Sequence, residues 1–148
     1  MVGFKKMLKL SKKIEYGLIS MMHMDSVRSG DLATARELSE LYNIPAELLG
    51  KVLQSLAKAH LIVSAQGAKG GYRLARSIDR VTLGEVVEAV EGPMHITACQ
   101  GDPTCCEQYS TCNIKRPVFQ VQKQLSDYMY GLPLSSFRTP LVAMEGQK

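Results

Sequence analysis

Apolar residues recur along this chain with two periods, and the changes of period outline its elements. Ile14, Leu18, Met21 and Met22 share one face of a helix that Ser11 caps and that runs to about Asp25. Ser26 to Asp31, containing Ser29-Gly30-Asp31, reads as a loop. Thr34-Ala35-Arg36-Glu37 has the form of a capping box, in which two side chains satisfy free backbone donors reciprocally, and it predicts a short second helix to about Tyr42. Asn43-Ile44-Pro45 interrupts the pattern. Pro45 at a first helical position predicts a third helix, Ala46 to His60, whose buried stripe is Leu48, Leu49, Val52, Leu53 and Leu56. Leu61 to Ala65 then favours extended backbone, and Tyr72-Arg73-Leu74 alternates apolar with polar; Gln66-Gly67-Ala68-Lys69-Gly70-Gly71 between them predicts a glycine-rich hairpin. Two short helices across a tight turn, followed at once by a hairpin, are the parts of a winged helix-turn-helix in their order.

Thr82-Leu83-Gly84-Glu85 is a second capping box and opens a helix through about Val90, ended by Gly92-Pro93. Met94 to Cys112 has no periodicity and reads as a loop. From about Pro117 to Tyr130 the helical period returns: Val118, Val121, Leu125, Tyr128 and Leu132 form a narrow seam of coiled-coil type, while Gln120, Gln122, Lys123, Gln124 and Asp127 occupy the other faces. Such a seam suits pairing with the same helix of a second subunit. After Gly131 there is little pattern, and Glu145 to Lys148 is expected to be disordered. The fold expected is mainly α with a small β-hairpin: a winged helix-turn-helix plus a long dimerisation helix. The expected division is 1–92 a winged helix-turn-helix of DNA-binding type, 93–112 a cysteine-rich cluster-binding loop, 113–134 a dimerisation helix and 135–148 a tail.

A chain of 148 residues with 45% hydrophobic content can bury one core. No run of about 18 apolar residues occurs, and the basic start Met1 to Lys13 lacks the apolar stretch of a signal peptide, so neither a membrane partner nor export is expected. In the cytoplasm thiols are kept reduced, which makes clustered cysteines metal ligands or redox groups rather than a disulfide framework. The net charge of +4 arises in residues 1–90 while residues 91–148 balance, a bias compatible with a polyanion partner. No Ser-His-Asp or paired-carboxylate constellation stands out, so the chain is not expected to be an enzyme. The Gly67 to Gly71 run lacks the form of a phosphate-binding loop and the helix that must follow one. Its glycines instead let a hairpin tip approach a phosphate backbone, with Lys69 and Arg73 to release counterions there.

The candidate chemistry is concentrated in Cys99, Cys105, Cys106 and Cys112, the chain's four cysteines. They admit two framings: Cys99-x5-Cys105 followed by x6 to Cys112, or Cys99-x6-Cys106 followed by x5 to Cys112. Three thiolates at such spacings can hold an iron–sulfur cluster and leave one position for a fourth ligand. A zinc site is less well served, because adjacent cysteines diverge and no C-x2-C to C-x4-C knuckle is present. Thiol oxidation without metal is a third reading. His23 and His60 read as helix-surface or helix-end residues, whereas His95, four residues before Cys99, is an imidazole candidate for iron.

Taken together, these parts resemble the family of winged-helix transcription regulators that includes the iron–sulfur cluster regulator IscR and the nitric-oxide-sensing repressor NsrR. The resemblance spans about Leu8 to Leu134. Lys9-Leu10-Ser11-Lys12 with Tyr16, Leu61-Ile62-Val63-Ser64, the Gly67 to Leu74 wing, the Val81 to Gly92 helix and the cysteine loop carry it. It implies a homodimer that binds double-stranded DNA at a near-palindromic operator through the third helix and wing, and that holds a two-iron or four-iron cluster. By similarity, Cys106 to Cys112 matches the family's C-x5-C segment, which selects Cys99, Cys106 and Cys112 as ligands and leaves Cys105 spare. The family's histidine ligand, three residues after the last cysteine, is replaced by Lys115. Other members use a first-helix carboxylate of the partner subunit, and Glu15 occupies that position. On the same resemblance Glu47, Leu48 and Lys51 of the third helix, with Gln66, Lys69 and Arg73 of the wing, are expected to meet DNA. The signal expected is redox state, nitric oxide or iron–sulfur status.

Overall fold

The computed structural model describes residues 9–138. The basic start before Lys9 and the expected disorder of Glu145 to Lys148 lie outside the described residues.

Helix α1, Lys12–Ser26, begins where Ser11 Oγ accepts from the Ile14 N–H at 3.3 Å. The same hydroxyl donates to Glu91 at 2.6 Å, tying the start of α1 to the end of a later helix. Ile14, Leu18, Met21 and Met24 are buried, and Gly17 brings α1 close to Val52, Val86 and Val90. His23 lies in the last turn of α1 as a helix-end residue, half-buried, with Nδ1 2.9 Å from the Tyr42 hydroxyl.

Helix α2, Ala35–Tyr42, opens with the expected capping box of Thr34 and Glu37. It ends at Asn43, whose φ of 53° is left-handed, a conformation Asn tolerates well. The Ser39 hydroxyl then donates to Ile44 O at 2.6 Å and locks the turn. Helix α3, Ala46–Lys58, has Pro45 at its cap rather than its first helical position. It also stops two residues before His60, because His60 turns left-handed at φ 60° while the Leu61 N–H closes on Leu56 O at 3.0 Å. Leu49, Val52, Leu53 and Leu56 are buried as the stripe predicted.

Strands β1, Ile62–Ala65, and β2, Gly71–Leu74, pair antiparallel with Ile62 opposite Leu74 and Ala65 opposite Gly71. Two further bonds dock this hairpin on the loop before α2: the Ala33 N–H donates to Tyr72 O at 2.9 Å, and the Tyr72 N–H to Ala33 O at 2.8 Å. Gly71 permits that approach, since a Cβ there would lie 2.9 Å from Ala33 O.

Helix α4, Leu83–Glu91, starts in the Thr82–Glu85 capping box. Helix α5, Lys115–Gly131, begins two residues earlier than the period suggested, with Pro117 in its first turn. The α5 seam divides. Leu125 and Leu132 pack with buried Met129 against the chain's own core, whereas Val121 is 52% exposed and Tyr128 is 65% exposed. Gln122 is not a solvent-face residue: its amide donates to Met94 O at 2.6 Å and accepts from the Ile96 N–H at 2.8 Å. Nor is the stretch after Gly131 patternless in space. Leu134 is buried in a short 3-10 turn, Leu134–Phe137; its N–H donates to Val81 O at 2.8 Å, and Arg138 forms two 2.9 Å bonds to Asp25. No helix among the described residues is long and apolar enough to cross a membrane.

Candidate metal centre and nucleic-acid interface

The cysteine loop leaves α4 at Gly92, is clamped by Gln122 and returns to the start of α5. Inside it, Gln100 Oε1 accepts from the backbone of Ile96 at 3.0 Å and of Thr97 at 3.2 Å, shaping the short turn Ala98–Gln100. A second turn, Pro103–Cys105, is capped by Asp102, which accepts from the Thr104 N–H at 2.9 Å. The Thr104 hydroxyl and N–H hold the Asp102 carboxyl below the usual carboxylate range.

These turns bring all four thiols to the lining of one open pocket of about 870 Å³, walled on the α5 side by Ile114, Val118 and Phe119. Cys99, Cys106 and Cys112 are half-buried and Cys105 is exposed. Thr97 Oγ1 lies 3.3 Å from Cys99 Sγ, and Cys106 Sγ donates to Gln108 Oε1 at 3.6 Å. The thiols share the pocket without closing on a common point: among the described residues, no three Cys, His, Asp or Glu groups converge as ligands of one ion. Soft donors spread around one cavity fit a polynuclear iron–sulfur group in chemistry, with Cys99, Cys106 and Cys112 available to hold it.

Glu15 does not line this pocket in its own chain; it pairs with Lys12 at 2.9 Å. His95 also lies outside, lining a neighbouring cleft with Ser11 and Met129. Sequence reasoning gave Lys115 no role, although its place three residues after Cys112 was the available signal. It lines the pocket, donates to Tyr109 O at 3.0 Å and sits 4.1 Å over the Tyr109 ring. The first turn of α5 has no side-chain cap, so its free N–H groups and Lys115 set a positive potential beside ligands that would be anionic.

The candidate DNA face lies on α3 and the hairpin. Glu47 and Lys51 are one turn apart near the start of α3, with side chains 90% and 71% exposed and 3.9 Å between their charges. Leu48, expected both in the buried stripe and at the DNA, is only half-exposed. In the wing, Gln66, Lys69 and Arg73 are all exposed, and the turn is closed by the Gly70 N–H on Gly67 O at 3.0 Å.

A helix-turn-helix with a docked wing and a cysteine pocket under a long helix is the arrangement against which comparison becomes decisive. Residues 10–138 match the model of the Rrf2 family, described as iron-dependent transcriptional regulators. The chain belongs to the Rrf2 family. Among solved structures it is similar to CymR, the global cysteine regulator of B. subtilis, at 22% identity and a TM-score of 0.65, covering 90% of this chain and 100% of that one. IscR of T. potens is similar at 22% identity and a TM-score of 0.66, covering 88% and 85%. Staphylococcus aureus CymR matches at 24% identity and a TM-score of 0.63, covering 84% and 93%, and its oxidized form matches at 0.64. At these identities the structures establish the winged-helix fold. Rrf2 membership makes the protein a DNA-binding transcriptional regulator and not an enzyme.

Proposed function

We propose that this Rrf2 protein is a cytoplasmic homodimer that regulates transcription according to the state of an iron–sulfur cluster held by Cys99, Cys106 and Cys112, with Glu15 of the partner subunit as fourth ligand. The observation that carries this reading is the gathering of every thiol in the chain on one pocket beside the start of α5. When bound, the group supplies one-electron chemistry and a reactive iron. The protein's part is positional. Gln122 fixes the near end of the loop, Lys115 and the α5 terminus offset the negative charge of the thiolates, and Phe119 and Val118 wall the pocket. A carboxylate beside thiolates is the hardest donor of the set and would be the most labile ligand, so loss of Glu15 would uncouple the two subunits at the site.

In the reading heads, Glu47, Leu48 and Lys51 enter the major groove, and Gln66, Lys69 and Arg73 meet the adjoining backbone or minor groove. A coupling of about 1 to 3 kcal/mol between cluster state and DNA affinity changes occupancy about 5- to 150-fold, which suffices for a switch. Protein purified without oxygen is expected to be coloured, to contain iron and acid-labile sulfide, and to change its operator affinity on chelation. Colourless protein with one zinc per subunit overturns the reading.

One observation favours a second reading, oxidation of thiols without a cluster: Cys105 is exposed beside Cys106, and both are free. In that case iron-free protein changes its DNA affinity on treatment with peroxide, and chelation leaves the affinity alone.

A further inference from the structure

Four thiols line the pocket, yet the ligand set above uses three. Cys105 is the exposed one; it closes the turn Pro103–Cys105 and is joined by one peptide bond to Cys106. The spacing is symmetrical, with five residues between Cys99 and Cys105 and five between Cys106 and Cys112, so each member of the adjacent pair is in register with one outer cysteine. Its backbone is held: the Cys105 N–H donates to Asp102 O at 3.2 Å, and Asp102 is itself fastened to Thr104. Glu15 belongs to another element, does not line this pocket in its own chain, and pairs there with Lys12 at 2.9 Å at the surface of α1.

We propose that Cys105 is the replacement ligand for the iron that Glu15 of the partner subunit serves. The inference rests on the cluster reading. In the exchange the carboxylate–iron bond breaks, the Cys105 thiol gives its proton to water, and its sulfur bonds to the vacated iron; no electrons are transferred. Glu15 returns to Lys12. Thiolate is the softer donor and the better match to an iron already bound by sulfur. It is also tethered beside the site, whereas the carboxylate must be brought by a second subunit. Adjacent cysteines serve one small tetrahedral ion poorly, and both members of this pair line the same pocket. The group then passes from being shared across the dimer to being held by one chain, and the tie between subunits is lost while the iron is kept.

The test compares the full-length wild type, Glu15→Ala, Cys105→Ser and the double variant, each purified anaerobically, by the rate at which iron passes to a chelator and by the vibrational spectrum of the iron–thiolate bonds. Glu15→Ala is expected to keep its cluster with an added iron–thiolate signature, and Cys105→Ser to release iron at the wild-type rate. The double variant is expected to release it about tenfold faster than Glu15→Ala, the scale on which metal sites respond to loss of one supporting group. Equal rates for Glu15→Ala and the double variant overturn the proposal, as does an unchanged vibrational spectrum in Glu15→Ala. Cys105→Ala in the Glu15→Ala background, judged by the same two readouts, gives the same answer should the serine double variant fold poorly. Failure of the cluster reading is distinguishable, because it appears as iron-free wild type before any substitution.

Discussion

A methyl group on Gly84 would lie 2.7 Å from Cγ of Tyr130, at the root of the ring rather than at a flexible tip. Gly84→Ala is therefore expected to destabilise the protein by about 1 to 3 kcal/mol, read as a lower urea midpoint with little change in slope. In the wing, Lys69 is exposed at the hairpin tip. Lys69→Ala is expected to weaken binding to all DNA sequences alike and to reduce the slope of log affinity against log salt by about one phosphate contact. An unchanged slope would put the wing tip away from the phosphates. Residue roles were legible where the chemistry is local. Ser11, Thr34 and Thr82 cap the helices expected of them, because a cap and its free N–H are three residues apart. Gly84 and Gln122 were not legible. Their partners, Tyr130 and Met94, are distant in sequence, and nothing in a local pattern tells which face of α5 meets which loop.

Among elements, α5 illustrates how a period misleads when part of one seam is buried in the chain's own core. The 3-4 repeat was real, but Leu125 and Leu132 are used inside the chain, and of the exposed apolar residues Ile114, Phe119, Val121, Tyr128 and Tyr130 the three most exposed, Ile114, Val121 and Tyr128, fall seven residues apart. Val121→Glu with Tyr128→Glu is expected to shift the protein from dimer to monomer in sedimentation while leaving the melting temperature of the winged domain nearly unchanged; a dimer of wild-type stability would locate the interface elsewhere. The α4–α5 contact has its own signature. The Tyr130 hydroxyl donates to Glu88, and that bond, with burial, pushes its pKa from 10.0 up to about 12. A raised folded pKa contributes stability that is whole below the unfolded pKa of about 10 and is lost as pH climbs through the folded value. Wild type is expected to lose more stability than Tyr130→Phe between about pH 10 and 12, measured by chemical unfolding at each pH. Glu85 works in the opposite direction: burial raises its pKa, but hydrogen bonds from the Thr82 N–H and from Arg76 outweigh it and hold the carboxyl low.

For the whole molecule, the proposed homodimer, paired through a long helix, would present two reading heads related by a twofold axis. Half-sites about one helical turn, roughly 34 to 36 Å, apart are expected. Inserting about half a turn of DNA between them is expected to abolish specific binding in a mobility-shift assay. The order of helices, turn and hairpin was readable because each junction carries its own breaker residue. The pocket was readable as far as its thiols, since they cluster in sequence as they do in space. What the chain alone does not express is the tying of remote parts to one another, and α1 is where those ties meet. Ser11 bonds to Glu91 at its start, and Asp25 is gripped by Arg138 near its end, shortly before the Ala33 bridge to the wing. A helix of 15 residues is a rod of about 22 Å. With α3 packed along it, the rod and the reading head turn as one body. A tilt of about 5° pivoting near Glu15 sweeps the far end through about 1.4 Å, comparable with the helix shifts by which interfaces switch. Leverage of that size can spoil the fit of a wing to a groove while every bond within the subunit stays made.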